Sequence, residues 1–178
     1  KFELITFSDT LSRLQTLTLK GIKTLDSSIS MLKGLEALDL SDNNRLSKFT
    51  QNIFMGLENL ERLNLSTCTG LGGKLPKNMF TGLLNLLELD ISNCGLTLIH
   101  SDVFSHTPKL TKLNLKDNKL KIKKGNVFLH LTQLKELNLV GNQVEYSNIK
   151  HGLFSNLVNL EVLIINYCYR RYLKSERY

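Results

Sequence analysis

Nowhere does this sequence approach the ~20 uninterrupted apolar residues that a membrane-spanning helix needs, so no such segment is expected in its 178 residues. It opens at Lys1 without a charged-then-apolar leader, as processed chains and internal pieces of longer chains also do. Cysteine is scarce, and Cys68, Cys94 and Cys168 do not make a disulfide framework. Acidic residues number 16 against 23 lysines and arginines, which leaves a formal charge of +7. That balance favours anionic contacts such as acidic proteins, sulfated glycans or nucleic acid without choosing among them, and it equally serves solubility. Catalytic signatures are missing too: no G-x-S-x-G, H-E-x-x-H, P-loop or paired C-x-x-C occurs. Asp39 and Asp90 fall two repeats apart, roughly 10 Å, too far to share a proton. Neither an enzyme nor a cofactor is expected.

What the sequence has in abundance is one pattern. L-x-x-L-x-L-x-x-N/C begins at Leu14, Leu35, Leu60, Leu86, Leu110, Leu134 and Leu160, 21 to 26 residues apart. Written out, the segments include LEALDLSDN, LERLNLSTC, LLELDISNC, LTKLNLKDN, LKELNLVGN and LEVLIINYC. Phe54, Phe80, Phe104, Phe128 and Phe154 stand six residues before the next first leucine. Leu57, Leu83, Leu131 and Leu157 follow three later, with Thr107 as the departure.

These segments resemble the leucine-rich-repeat family over almost the whole chain. The F-x-x-L ending is similar to the "typical" subclass of Toll-like receptor ectodomains, small proteoglycans and invertebrate haemolymph proteins. That resemblance implies an extracellular or secreted location, including the ectodomain of a membrane protein. The physics of the pattern agrees with the family fold. An alternating L-x-L is a short strand with its leucines on one face, and one repeat alone cannot bury that face. Stacked repeats give an α/β solenoid with a concave parallel sheet of about seven strands and a convex side of turns and short 3₁₀ helices.

At the N/C position stand Asn43, Cys68, Cys94, Asn118, Asn142 and Cys168, while Ile22 departs. The chain turns there, and its buried backbone groups need partners that an amide supplies well and a thiol weakly. Cys68 and Cys94 on adjacent rungs are within disulfide reach, but ladder thiols are expected to stay reduced. A single domain over 1–178 is expected. It contains a partial repeat at 1–13, in which Phe7 and Leu11 align with Val103 and Thr107, and a tail at 169–178. Terminal repeats need polar caps, and none is recognisable. The chain is therefore expected to be a piece of a longer array, or a subunit whose ends something else closes.

Four further features invite a role. His106 and His130 share one repeat position, where other repeats hold Gly56, Gly82 and Asn156. The pair suggests a metal, the substitutions a tolerant surface slot, and no metal is expected. Asn64-Leu65-Ser66 is a glycosylation sequon on the concave sheet, though a repeat reading L-N-L-S creates it by chance. The run 116–124 holds five lysines, Lys116, Lys119, Lys121, Lys123 and Lys124, and reads either as a solvated edge or as an anion-binding strip. Alternation from the leucines defines three outward rows whose polar members include Asp39, Arg62, Asn64, Glu88, Asp90, Lys112, Asn114, Glu136 and Asn138. These are the candidate protein-binding residues, and neither Asp90 nor Lys112 is expected to bear on the fold. At the C-terminal end the rows turn apolar with Val140, Val162 and Ile164, beside Tyr167. That patch points to a partner, a sister chain or the tail. The expected function is non-enzymatic recognition of a macromolecule, in a receptor or secreted protein of innate immunity or adhesion. An intracellular scaffold or an assembly subunit is the alternative.

Overall fold

A computed structural model describes residues 7–46, 49, 52–122, 127–150 and 152–166. Among them are nine strands: β1 (Thr16–Thr18), β2 (Ala37–Asp39), β3 (Arg62–Asn64), β4 (Glu88–Asp90), β5 (Lys112–Asn114), β6 (Lys121–Ile122), β7 (Glu136–Asn138), β8 (Gln143–Val144) and β9 (Val162–Ile164). Seven form one parallel sheet in the order β1-β2-β3-β4-β5-β7-β9, one strand from each L-x-L segment. The register is uniform: Leu17, Leu38, Leu63, Leu89, Leu113, Leu137 and Leu163 pair with one another along the sheet. Period two then sends all seven to one side. From Leu38 to Leu137 they are at most 2% exposed.

The return halves close the other side of this core. Phe54, Phe80, Phe104 and Phe128 are buried, and each such ring contributes about 2–3 kcal/mol by leaving water. Phe80 stacks on Phe104 at 6.3 Å and Phe128 on Phe154 at 6.0 Å, one repeat upon the next. Thr107 takes the leucine position fully buried, its hydroxyl donating to the Phe104 carbonyl at 3.1 Å. Threonine fits there because its one polar group is satisfied inside its own repeat. Among the described residues the connections hold 3₁₀ turns at Asp9–Leu11, Ser27–Met31, Thr69–Leu71 and Ser101–Phe104, plus one short helix, α1 (Tyr146–Lys150).

Two features go beyond the leucine pattern. β6 and β8 pair in parallel as a second, two-stranded sheet on the flank where the chain descends from the concave face. A bridge between Lys74 and Leu98 continues that flank toward the N-terminus. Second, β1, β2, β3, β4, β5 and β7 are each left through a left-handed residue at one fixed position: Gly21, Asp42, Thr67, Asn93, Asp117 and Gly141, with φ between 51° and 80°. Gly, Asn and Asp tolerate that conformation, and a β-branched threonine does not do so readily. At the terminal rungs Leu11 (45%) and Leu163 (38%) are exposed, although their counterparts are buried.

Candidate functional site

The N/C positions are structural in detail. Asn118 is buried; its Nδ2 donates to the Ile91 and Leu115 carbonyls at 2.9 Å. Its Oδ1 accepts from the Cys94 and Leu96 amides at 3.0 Å. Asn142 donates to Leu115 and Leu139 and accepts from the Leu120 amide. Asn43 donates to Leu19 and Leu40 and accepts from the amide of Ile22, the residue that departs from the pattern. Cys68 and Cys94 are buried free thiols that donate to the Leu40 and Leu65 carbonyls at 3.0 and 3.1 Å. Burial pushes both thiols up, that of Cys94 to about 12, so each keeps the proton it donates. Cys168 lies outside the described residues.

The concave sheet forms an open groove of about 560 Å³ lined by the outward residues of β2, β3, β4, β5, β7 and β9 and by Thr16. Its two strand rows differ in what ties them down. In the central row, Asp39, Asn64, Asp90, Asn114 and Asn138 each accept the amide two residues on, from Ser41, Ser66, Ser92, Lys116 and Val140. These side chains cap the strand ends as well as facing outward. Asp90 also receives the Ser92 hydroxyl at 2.6 Å and Asn114 Nδ2 at 2.8 Å. The expectation that Asp90 does not bear on the fold is thereby corrected. Burial works against ionisation of Asp39, yet the Ser41 amide and hydroxyl together with Lys20 outweigh it and hold the carboxyl below its ordinary value. A signal for this capping existed in the sequence, since five of seven repeats carry Asp or Asn at the strand's last residue.

The neighbouring row is held only by exposed ion pairs. Lys112 Nζ lies 3.8 Å from Glu88 and 3.5 Å from Glu136, all three about half exposed. Arg62 pairs with Glu61 at 3.4 Å. Across all three outward rows Lys20, Arg62, Lys112 and Lys116 balance Asp39, Glu88, Asp90 and Glu136. The concave face is thus neutral in a chain of charge +7. At its C-terminal end Val162 and Ile164 are 43% and 46% exposed, Val140 is half-buried, and Tyr167 lies outside the described residues.

The sequon residue Asn64 is half-buried, its Oδ1 engaged by the amide of Ser66 in the same sequon. On the convex side His130 Nε2 lies 4.0 Å from Asp102, whose carboxyl Lys77 and then Ser101 hold below the ordinary value. The slot shared by His106 and His130 is not simply tolerant. Gly56 and Gly82 there have φ of +95° and +93°, and an added Cβ would come 3.1 Å from Ser30 and 3.2 Å from the Met55 Cα. The N-terminal repeats therefore pack more closely at this position than a histidine would allow. In the lysine run Lys116 pairs with Asp117 at 3.7 Å, Lys119 and Lys121 are exposed on the descending flank, and Lys123 and Lys124 lie outside the described residues.

The family model described as leucine-rich repeat matches residues 73–120 and 85–144. No curated protein matches the sequence. Among solved structures, that of a TLR13–ssRNA13 complex is 31% identical with a TM-score of 0.74, over 85% of this chain and 21% of that one. Toll, in the Toll–Spatzle complex of Drosophila, is 24% identical with a TM-score of 0.65 over 89% of this chain and 25% of that one, a likeness of fold. The chain spans about a fifth to a quarter of the length of these two. Among the described residues no helix is long and apolar enough to cross a membrane. With seven repeats stacked in one register and these likenesses in hand, the chain folds as a leucine-rich-repeat solenoid that resembles the ectodomains of Toll-like receptors.

Proposed function

We propose that this solenoid is a non-enzymatic recognition module that binds a protein partner on its concave face, within an extracellular receptor or secreted protein of innate immunity or adhesion. One observation carries the reading: a groove of polar side chains in strict register that is electrically neutral as a whole. A face of both charge signs suits a polar, wet protein contact more than a polyanion or a greasy ligand. The likeness to TLR13, solved with ssRNA13, and to Toll, solved with Spatzle, supports a binding role of this general kind.

The contact residues are best sought in the row held only by ion pairs. Glu88→Gln with Lys112→Gln is expected to weaken a partner found on an array of secreted proteins by at least ~10-fold. Its stability should stay within ~0.5 kcal/mol, because exposed pairs contribute little. His106→Ser on the convex side should leave binding unchanged; a partner that responds to His106→Ser alone refutes the concave assignment. Expression in a secretory host tests the location. The chain should leave the cell folded with a glycan on Asn64, detected by mass spectrometry of that peptide and lost in Asn64→Gln. A chain that folds in the cytosol and is degraded on secretion belongs to the intracellular alternative. Such a glycan would obstruct the N-terminal half of the groove and direct a partner to β4 through β9.

The exposed Val162, Leu163 and Ile164 favour a second reading for the C-terminal end, self-association with a sister chain. Ile164→Asp should then lower the molar mass by light scattering, and a wild type that is monomeric at every concentration removes this reading.

A further inference from the structure

The positive charge of this chain is not where its groove is. Every cation of the three outward rows has an acid beside it: Lys20 has Asp39, Arg62 has Glu61, Lys112 has Glu88 and Glu136, and Lys116 has Asp117. The descending flank is built differently. Lys74, Lys119 and Lys121 are exposed, and among the described residues none of the three has an ion-pair partner. Main-chain bonds fix their order. The Thr97 amide donates to Gly73, next to Lys74, at 2.8 Å, and the Lys119 amide donates to Leu96, next to Thr97, at 2.7 Å. β6 then carries Lys121 beside Gln143 of β8. Two of three consecutive repeats thus present lysines on one flank, with Thr97 of the repeat between them and Gln143 beyond as neutral hydrogen-bonding neighbours.

We propose that this flank, and not the concave face, is a docking strip for a sulfated polysaccharide. Lys74 and Lys119 are separated by one intervening repeat, so about 10 Å of stacking lies between them. One small anion cannot span that distance; a polymer with repeated anionic groups can. Lysines act as point charges toward such groups, whereas nucleic-acid surfaces draw on arginine forks and on aromatic rings that stack bases. Lys74, Thr97, Lys119, Lys121 and Gln143 offer neither. Lysines left unpaired by the protein's own acids have no ion pair to break, and they release the counterions condensed on a polyanion when it binds. The ligand class takes its plausibility from the extracellular reading, while the surface is independent of the concave one and is tested apart from it.

The test uses the whole chain and a heparin oligosaccharide of defined length, with affinity measured by surface plasmon resonance across salt concentrations around ~0.15 M. Lys74→Gln, Lys119→Gln and Lys121→Gln combined should weaken binding at least ~10-fold and flatten its salt dependence. Lys33→Gln, Lys109→Gln and Lys135→Gln remove the same charge elsewhere and should weaken it less than ~3-fold. Circular dichroism and melting temperature confirm that both variants are folded. Equal losses in the two triples, or no binding of the wild type, overturn the proposal. A single-stranded oligonucleotide of matched charge that binds tighter than heparin and is lost in the flank triple overturns the glycan assignment in favour of nucleic acid. Loss of a protein partner in the Glu88 and Lys112 variant with heparin binding intact leaves this strip standing by itself.

Discussion

Asn118→Ala should lower stability by about 3–5 kcal/mol, because it strips partners from several buried backbone groups at once. The Leu115 carbonyl keeps a second donor, Asn142 Nδ2 at 2.8 Å. The Ile91 carbonyl and the amides of Cys94 and Leu96 lose the bonds that Asn118 gives them. Each buried group left unmet costs about 1–3 kcal/mol, less where water can enter. Lys119→Ala, one residue along and exposed, should change stability by less than ~0.5 kcal/mol. Urea unfolding followed by circular dichroism compares the two, and equal midpoints would rule out the ladder. The solenoid is quasi-one-dimensional, so a rung weakened in the fifth of seven repeats should also broaden the transition as the two sides uncouple.

The ladder and the sheet were legible because each follows from spacing alone. Leucine alternation fixes which face Leu38, Leu63 and Leu89 occupy, and stacking fixes their register. The phenylalanine six residues before the first leucine of five repeats marks the convex core in the same way. Other features depend on geometry between repeats, which spacing within one repeat does not encode. The β6–β8 sheet forms because Ile122 and Val144 are brought side by side, and neither belongs to the leucine pattern. Central-row residues such as Asn64 and Asp90 read as free outward groups, but the tight turn after the strand delivers an amide to each oxygen. Lys74 gave no signal at all, since it lies far in sequence from the run at 116–124 and reaches the same flank only through stacking. The candidate site is therefore half legible: alternation assigns the outward positions, and pairing decides which of them remain available to a partner.

That division separates two kinds of charged residue on one molecule. Where acid and base alternate along a row, as in Glu88, Lys112 and Glu136, neighbouring repeats neutralise each other and leave polarity without field. Where lysines recur without acids, repeats add their fields. The first arrangement favours selective short-range contact and the second favours long-range attraction. A solenoid can hold both because its concave face and its flank are set by different positions of the same repeat.

Gly141→Ala should cost about 3–4 kcal/mol, while Gly21→Ala, at the same position of another repeat, should cost about 1–2 kcal/mol. Both glycines are left-handed, with φ of +80° and +70°, so both variants bear the steric penalty of that conformation. What differs is the neighbour. A Cβ on Gly21 meets nothing within 4 Å. On Gly141 it would stand 2.4 Å from the Asp117 carboxylate oxygen, 2.8 Å from the Asp117 Cα and 3.0 Å from its nitrogen. The carboxylate can swing away, but the backbone cannot. Asp117 donates its amide to the Val140 carbonyl at 2.7 Å, and the Gly141 amide is held by Asn166 Oδ1 at 3.0 Å. The added methyl must therefore pry the fifth repeat from the sixth, an overpacking term of about 1–3 kcal/mol on top of the backbone penalty. Asp117→Ala in the Gly141→Ala background should recover only part of the loss, since the clash with the main chain of residue 117 remains. Chemical denaturation of the three variants measures each contribution. Equal costs for Gly21→Ala and Gly141→Ala would show that the close approach of these two turns does not exist in solution.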